Sequence, residues 1–233
     1  IGEGEDVLSF RQYKQYLLLG GQAHRTGENR EGGRYEKLKE AAGKMYPQSR
    51  IAACWSAQDC MTTDRVPFIG PYAADRPDWY VATGFCKWGM SSAMVSAMML
   101  KDMICGITNP YTEVFAPSRF SSEEIPQLLE DTGKSVKGLT KRFFHMPQET
   151  VDELPRGHGG VIDTPQGKTG VYKTEDGQFF QVDIVCPHMG CELTWNPDER
   201  SWDCPCHGSR FDYKGNRIDG PAEEGIALES SLE

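Results

Sequence analysis

Cys186-Pro-His-Met-Gly-Cys191 and Cys204-Pro-Cys-His-Gly-Ser209 decide the fold of the last third of this 233-residue chain. Twelve residues separate the two stretches, and each of them combines cysteine and histidine with glycine between strand-like segments. Two such loops can bring two thiolates and two imidazoles to one metal centre. The sequence therefore predicts a metal site made of two paired loops.

The sequence around these loops favours short strands. Beyond residue 154, strand segments alternate with glycine and proline turns; the predicted strands are Gly160 to Ile162, Thr169 to Lys173 and Phe179 to Val185. Before them, the capping box Ser121-Ser-Glu-Glu124 predicts a helix that opens a linker over residues 121–153. We therefore predict an all-β domain over residues 154–233, preceded by a helical linker.

The two motifs closely resemble those of the Rieske family, whose members bind a 2Fe-2S cluster. The resemblance covers residues 154 to about 228. It implies that Cys186 and Cys204 are thiolate ligands of one iron and that His188 and His207 are imidazole ligands of the other, outer iron. The alternative is a zinc knuckle that uses the same side chains, since tetrahedral zinc also accepts mixed sulfur and nitrogen ligands.

The Rieske resemblance also assigns roles around the predicted cluster. Cys191 and Cys206 match the pair that forms a disulfide between the cluster loops in respiratory members of the family. Ser209 matches a serine whose hydroxyl donates to a cluster sulfur and so raises the reduction potential. Phe211 stands where high-potential members have a tyrosine, so an intermediate potential is expected. Pro221 lies in a segment that resembles the loop that covers the cluster.

The first half of the chain carries three short patterns in a fixed order. They are Asp64-x-x-Pro67-x-Ile69-Gly70, then Ala82-Thr-Gly84-Phe85-x-x-x-Gly89-Met90, then Asn109-Pro110 followed by Phe115-Ala-Pro-Ser-Arg119-Phe120. Together they resemble the carboxyl-terminal half of the D-amino-acid oxidase-like FAD oxidoreductases, which include glycine and sarcosine oxidases. The resemblance implies an α/β domain with a mixed sheet over residues 1–120. The fold class of the whole chain is therefore predicted to be α+β.

The second of these patterns is the predicted flavin site. Glycines let the backbone approach a ring, and a helix N-terminus stabilises the negative charge of a reduced flavin. We predict contacts at Gly84, Gly89 and Met90, with Lys87 and Trp88 as further candidates. No G-x-G-x-x-G follows any strand, and the chain does not begin with Met. We therefore expect a fragment that does not retain FAD and is inactive alone.

Hydrophobic periodicity predicts the elements of the first half. The strands are Tyr16 to Gly21, Ile51 to Trp55 and Trp79 to Thr83, and the helices are Tyr35 to Met45 and a segment from Lys87 through Ile104. The second helix is rich in methionine between Met94 and Met103 and is expected to be a buried core helix. Arg25, in the segment His24-Arg-Thr-Gly27, is either a cation that faces the substrate or a surface side chain.

Composition and charge exclude several classes of partner. The chain has 34 acidic and 25 basic residues, and its net charge of -9 would repel nucleic acid and anionic lipid. No apolar run approaches the ~18 residues of a membrane span. Four cysteines outside the two motifs show no pairing pattern, which indicates a reducing compartment and hence the cytoplasm; they are Cys54, Cys60, Cys86 and Cys105.

The two resemblances together imply an oxidoreductase. Its flavin would take a hydride from an amine or amino-acid-like C–N bond, and its Rieske cluster would carry single electrons to an external acceptor, such as another protein. The rival hypothesis is a ferredoxin-like electron carrier or binding module on a scaffold without catalysis. A Rieske oxygenase is disfavoured, because its mononuclear iron needs two histidines and a carboxylate and only His24, His145 and His158 remain.

Overall fold

A computed structural model of the chain describes residues 7–119, 153–164 and 167–228. The helix predicted from the capping box at Ser121 lies outside the described residues. The described residues form two compact units: residues 7–56 together with 153–228 make the first, and residues 57–119 make the second. The domain boundaries at 120 and 153 rest on sequence motifs and stay a prediction.

The described elements confirm the α+β class, with all helices in the first half of the chain. In chain order they are β1 (Ser9–Tyr13), β2 (Tyr16–Gly20), α1 (Arg34–Met45), β3 (Phe68–Ala73), β4 (Arg76–Thr83), α2 (Gly89–Ile104), α3 (Thr112–Phe115), β5 (His158–Thr164), β6 (Gly167–Lys173), β7 (Phe179–Asp183), β8 (Thr194–Asn196), β9 (Ser201–Asp203), β10 (Arg210–Asp212) and β11 (Arg217–Asp219). The mixed sheet that the resemblance implies for the first half is represented there by two antiparallel hairpins, β1–β2 and β3–β4.

The first unit contains two antiparallel sheets that follow the predicted all-β pattern. One has the strand order β5-β6-β7 and the other β11-β10-β9-β8. The core lies between them, where Val182, Trp202 and Phe211 are fully buried. Gly170 of β6 leaves room for the indole of Trp202, since a Cβ there would lie 2.9 Å from that ring. This core supports the segments that carry the cysteine and histidine motifs.

Two expectations for the first half are wrong. Residues 51–60 have no regular structure, and the side chains of Ile51 and Trp55 are exposed. A strand needs a partner for its backbone hydrogen bonds, and no strand pairs with residues 51–55 in the described part of the chain. The methionine-rich helix α2 is not a buried core helix either, because Met94 and Met98 are exposed and Met99 lies on the buried face. Of the described residues, those of β3 and β4 pack against this helix.

A bidentate ion pair joins two of the sequence patterns inside the second unit. The guanidinium of Arg119 contacts the carboxylate of Asp64, with Nε–Oδ2 and Nη2–Oδ1 distances of 2.8 and 3.0 Å. The same guanidinium lies over the ring of Phe68, 4.1 Å from its centroid, and donates to the carbonyl of Pro67 at 3.0 Å. Arg119 of the third pattern therefore joins the first pattern, at residues 64–70, in one structural contact.

Removal of Arg119 should make the second unit less stable and less sensitive to acid. The hydrogen bonds from Arg119 lower the pKa of Asp64 from 3.8 to about 2. Because the folded pKa is the lower one, the stabilisation is complete above pH 4 and disappears as the pH falls towards 2. We expect Arg119→Ala to lower the free energy of unfolding by roughly 1 to 2 kcal/mol at pH 7 and to flatten its change between pH 4 and 2.

Urea unfolding at several pH values measures this effect. Arg76→Ala is the matched control, because Arg76 pairs with Asp75 at 3.7 Å on the exposed surface of the same unit and such pairs contribute little. Equal losses in the two variants would contradict a special role for Arg119.

Candidate metal centre

The two motifs form loops with the same backbone hydrogen bonds. In the first loop (Cys186–Cys191), the N–H of Cys186 donates to the carbonyl of Cys191 at 2.9 Å, and the N–H of Gly190 donates back to the carbonyl of Cys186 at 2.8 Å. Gly190 has a φ of 76°, a left-handed conformation that glycine adopts without strain. The loop therefore closes on itself immediately after β7 and the short connection to Cys186.

The second loop (Cys204–Ser209) repeats this arrangement between β9 and β10. The N–H of Cys204 donates to the carbonyl of Ser209 at 2.7 Å, and the N–H of Gly208 donates to the carbonyl of Cys204 at 3.1 Å. Gly208 has a φ of 81°. Both loops thus present the residues between their first cysteine and their glycine on a similar turn, which explains why both motifs have a glycine at the fifth position.

A disulfide between Cys191 and Cys206 joins the two loops, as the Rieske resemblance implied. A geometric group of three sulfur atoms, those of Cys191, Cys204 and Cys206, lies within 4.8 Å. Two of these sulfurs are bonded to each other and are therefore not available as thiolate ligands. Cys186 and Cys204 are the free thiols at the loops.

Loss of this disulfide should destabilise the first unit. The bond closes a loop with a sequence separation of 15 residues, and a crosslink of that span contributes about 3 kcal/mol in the chain-entropy model. We therefore expect the double variant Cys191→Ala and Cys206→Ala to lower the free energy of unfolding by about that amount. Chemical denaturation measures it, with the exposed thiol variant Cys105→Ala as the control. An unchanged midpoint in the double variant would show that packing alone holds the loops.

The four predicted ligand side chains belong to the two loops and form two pairs, one of cysteines and one of histidines. Cys186 and Cys204 are each only 1% exposed, whereas the side chains of His188 and His207 face solvent. The two imidazole rings meet edge to face, with their centroids 4.9 Å apart. The two histidine rings are therefore paired on the surface of the loops, while the two cysteines lie in the interior.

Polar groups around the buried thiols stabilise negative charge. The thiol of Cys204 donates to the sulfur of Cys186, and this hydrogen bond lowers the pKa of Cys186 to about 5. The backbone N–H groups of His188 and Met189 and the hydroxyl of Ser209 also favour the thiolate. The same pairing with Cys186, together with burial, raises the pKa of Cys204. Hydrogen-bond donors directed at sulfur suit an anionic iron-sulfur group, so the donor set fits a cluster with two thiolates and two imidazoles.

The predicted surroundings of the cluster are found close to the loops. Ser209 is completely buried, and its Oγ accepts a hydrogen bond from the N–H of Ala222 at 3.1 Å. Gly220 has a φ of 101° and packs so closely on Ser209 that a side chain there has no room. Pro221 is exposed between these two contacts, and Phe211 is buried in the core below. The segment with Pro221 therefore closes over the backbone of the second loop.

Sequence reasoning missed a buried charged pair beside the second loop. Asp203 immediately precedes Cys204, and Arg210 immediately follows Ser209. Their side chains are 2% and 8% exposed, and Arg210 Nε lies 3.1 Å from Asp203 Oδ1. Opposite charges directly flanking a six-residue motif were the available signal. The pair links the two ends of the loop and fixes its width.

The five predicted flavin contacts lie around the N-terminus of α2, in the second unit. Gly84 has a φ of 74° and is buried against Thr62. The other four are exposed on the last residues before the helix and in its first turn; they are Lys87, Trp88, Gly89 and Met90. No side chain caps this helix N-terminus, and the space around the Cα of Gly89 is open. Backbone donors and open space fit the edge of an isoalloxazine ring, and these contacts stay a prediction.

A small apolar cavity lies beside the same helix. Its volume is about 150 Å³, below the ~300 to 1,000 Å³ typical of ligand sites. It is lined by Pro67, Ile69, Ser91, Ser92, Val95 and Phe115. This cavity is too small for a flavin.

Comparisons with known proteins divide the chain in the same way as the motifs. Residues 2–103 match the model of the FAD dependent oxidoreductase family, and residues 145–229 match the Rieske [2Fe-2S] domain. The Rieske 2Fe-2S iron-sulfur protein YhfW of Bacillus subtilis (strain 168) is 36% identical over 211 residues, which cover 90% of this chain and 42% of that protein.

Two further relatives match the Rieske region. The cytochrome b6-f complex iron-sulfur subunit of Synechococcus elongatus is 44% identical over 62 residues, 26% of this chain and 34% of the subunit. The crystal structure of the cyanobacterial plasma membrane Rieske protein PetC3 from Synechocystis PCC 6803 aligns at 28% identity and a TM-score of 0.29, over 32% of this chain and 78% of that one. The matched regions cover less than half of the length of YhfW and of the cytochrome b6-f subunit. Among the described helices, none has the length and apolar character needed to cross a bilayer.

Proposed function

We propose, from a chain that carries part of the FAD-dependent oxidoreductase family followed by a Rieske [2Fe-2S] domain, that the whole protein is an oxidoreductase for amines or amino-acid-like substrates. It oxidises a C–N bond and passes the electrons from FAD through the cluster to an external acceptor. When bound, FAD supplies a two-electron acceptor and the cluster a one-electron carrier. With both groups in one protein, electrons leave through the cluster, whereas in an oxidase the flavin passes them directly to oxygen.

One observation carries the electron-transfer part of the proposal. The two loops carry two buried cysteines and two exposed histidines, and the ring centroids of His188 and His207 lie 4.9 Å apart. We assign Cys186 and Cys204 as the thiolate ligands and the two histidines as the imidazole ligands. Solvent-facing imidazoles leave one side of the site open to an acceptor, while buried sulfurs keep the other side within the protein.

The charge of the Rieske region indicates the kind of acceptor. From Leu154 onward the sequence has fourteen acidic and seven basic residues. An acidic surface attracts a basic partner and raises the rate of encounter. The acceptor in this proposal is therefore a protein with a basic docking face. The free thiols at Cys54, Cys60, Cys86 and Cys105 support a reducing, cytoplasmic location as part of the same proposal.

An anaerobic visible spectrum of the full-length protein tests the proposed function. Amino acids and N-methylated amines are added one at a time. We expect one substrate class to bleach the flavin bands and then to reduce the cluster. A Cys204→Ser variant of the same protein is the control, because its flavin should still bleach while no cluster signal follows.

Two outcomes would overturn the proposal in different parts. A protein without flavin bands, whose cluster is reduced by chemical reductants alone, would be an electron carrier on a non-catalytic scaffold. If the flavin bleaches while the cluster stays oxidised, the substrate oxidation of the proposal would stand, but the transfer of electrons from flavin to cluster would be wrong.

A further inference from the structure

A segment of the FAD-oxidoreductase region contacts the second metal loop. Arg25 Nε donates to the carbonyl of Pro205, which lies directly after Cys204, at 3.3 Å. Gly27, with a φ of 82°, packs on the same proline, and a Cβ at Gly27 would lie 2.8 Å from it. Thr194 Oγ1 in β8 donates to the carbonyl of Gly27 at 2.9 Å. The turn at residues 25–27 thus rests on the loop from outside the Rieske sequence.

A second contact lies in the next residues of this segment. Asn29 is 5% exposed, and its Nδ2 donates to Asn196 Oδ1 at 3.0 Å and to Asp198 Oδ2 at 2.9 Å. The carboxylate of Asp198 also accepts from the backbone N–H groups of Gly33 and Arg34, at 2.9 and 3.0 Å. Asp198 thereby caps the N-terminus of α1, although 164 residues separate it from Arg34. A negative charge at a helix N-terminus is stabilising.

The contact continues inward to the metal loop through buried polar groups. Asn196 Nδ2 donates to Asp203 Oδ2 at 2.8 Å. Asp203, which precedes Cys204, pairs in turn with Arg210, which follows Ser209. The four side chains of this hydrogen-bond network are all buried. Loss of one of them therefore leaves a buried polar group without a hydrogen-bond partner. The chain of hydrogen bonds starts at Asn29 and ends at both ends of the second loop.

We propose that residues 25–34, here called the brace, are positioning residues of the metal centre. The brace fixes the second loop from outside by the contact of Gly27 with Pro205, and from beneath by the network that begins at Asn29. The Rieske sequence alone does not contain these groups. The inference depends on the assignment of Cys204 and His207 as ligands, but it does not depend on flavin or on an amine substrate.

The cluster-loaded 233-residue chain provides the test. Asn29→Ala removes the two hydrogen bonds that Asn29 Nδ2 donates to Asn196 and Asp198. Leu154→Ala is the control, because Leu154 belongs to a separate small core with Ile162 and Val171. The rate of cluster loss to an iron chelator is followed by visible absorbance, the reduced cluster by electron paramagnetic resonance, and stability by thermal unfolding. We expect Asn29→Ala to lose the cluster about 10- to 100-fold faster than the unchanged chain and to broaden its resonance lines.

The control separates positioning from general stability. Leu154→Ala should lower the unfolding midpoint at least as much, yet keep the original rate of cluster loss and the original resonance. Cluster loss that follows unfolding midpoint alone in both variants would overturn the proposal. If Asn29→Ala does not fold, Gly27→Ala gives the decision, because its new methyl group presses on Pro205. A Gly27→Ala chain with unchanged cluster release and resonance would likewise overturn it.

Discussion

Replacement of Cys204 by serine is expected to abolish assembly of the iron-sulfur cluster. Cys204 is 1% exposed, and its thiol is hydrogen bonded to the sulfur of Cys186. The serine hydroxyl keeps the volume but does not supply a thiolate, so one iron loses half of its protein ligands. The loss should exceed the ~10- to 100-fold effect that is typical of groups outside the ligand set. Iron and acid-labile sulfide analysis, together with the visible spectrum, measures it.

Cys105→Ser is the matched control, because Cys105 is an exposed free thiol in the second unit. This variant should bind iron and sulfide like the unchanged chain. A Cys204→Ser chain that keeps both would show that Cys204 is not a ligand. Stoichiometric zinc without sulfide in the unchanged chain would instead favour the zinc knuckle, since the same four side chains can bind either group.

The loops were predictable because their chemistry is local in the sequence. Each loop of six residues contains its own cysteine, histidine and glycine, and the hydrogen bonds that close it join residues four or five apart. The left-handed glycines at Gly190 and Gly208 are fixed by the same short motif. Residue types and spacing therefore carried enough information to predict the two loops and their strand flanks.

The brace was not predictable, because its partners are distant in the sequence. Asn29 and Asn196 are 167 residues apart, and neither belongs to a recognisable motif. The segment with Arg25 was expected either to face a substrate or to lie free on the surface, whereas Arg25 Nε donates to Pro205. Such contacts depend on how a helix N-terminus meets a turn, which hydrophobic periodicity does not encode.

The wrong strand at Ile51 to Trp55 has a related cause. Five apolar residues in a row predict burial, but the structure supplies no partner strand for them among the described residues, and Trp55 is 62% exposed. A short apolar run indicates that burial would be favourable, but tertiary contacts determine whether the run is buried. The methionines of α2 show the same effect, since the composition of the helix indicates a core position that the described neighbours do not provide.

Replacement of Arg210 by leucine is expected to destabilise the first unit by about 3 to 5 kcal/mol, because it leaves a buried carboxylate without its counter-charge. Asp203 is 2% exposed and pairs with Arg210 at 3.1 Å. Burial acts to lower the pKa of Arg210, but the charges and hydrogen bonds of Asp203 and Glu199 together outweigh it and raise that pKa, so the guanidinium stays charged. After the change, Asp203 keeps hydrogen bonds from Ser201 at 2.8 Å and Asn196 at 2.8 Å, which do not neutralise it.

A second substitution distinguishes charge from packing. Arg210→Leu combined with Asp203→Asn removes both charges, so the double variant should recover most of the lost stability, since a buried pair replaced as a whole is often nearly neutral. Urea unfolding followed by tryptophan fluorescence, to which the buried Trp202 contributes, measures all three chains. A double variant as unstable as the single one would mean that the arginine acts by filling space. That result would also count against a role for the network beneath the second loop, because the hydrogen bond from Asn196 to Asp203 would then not serve to stabilise a buried charge.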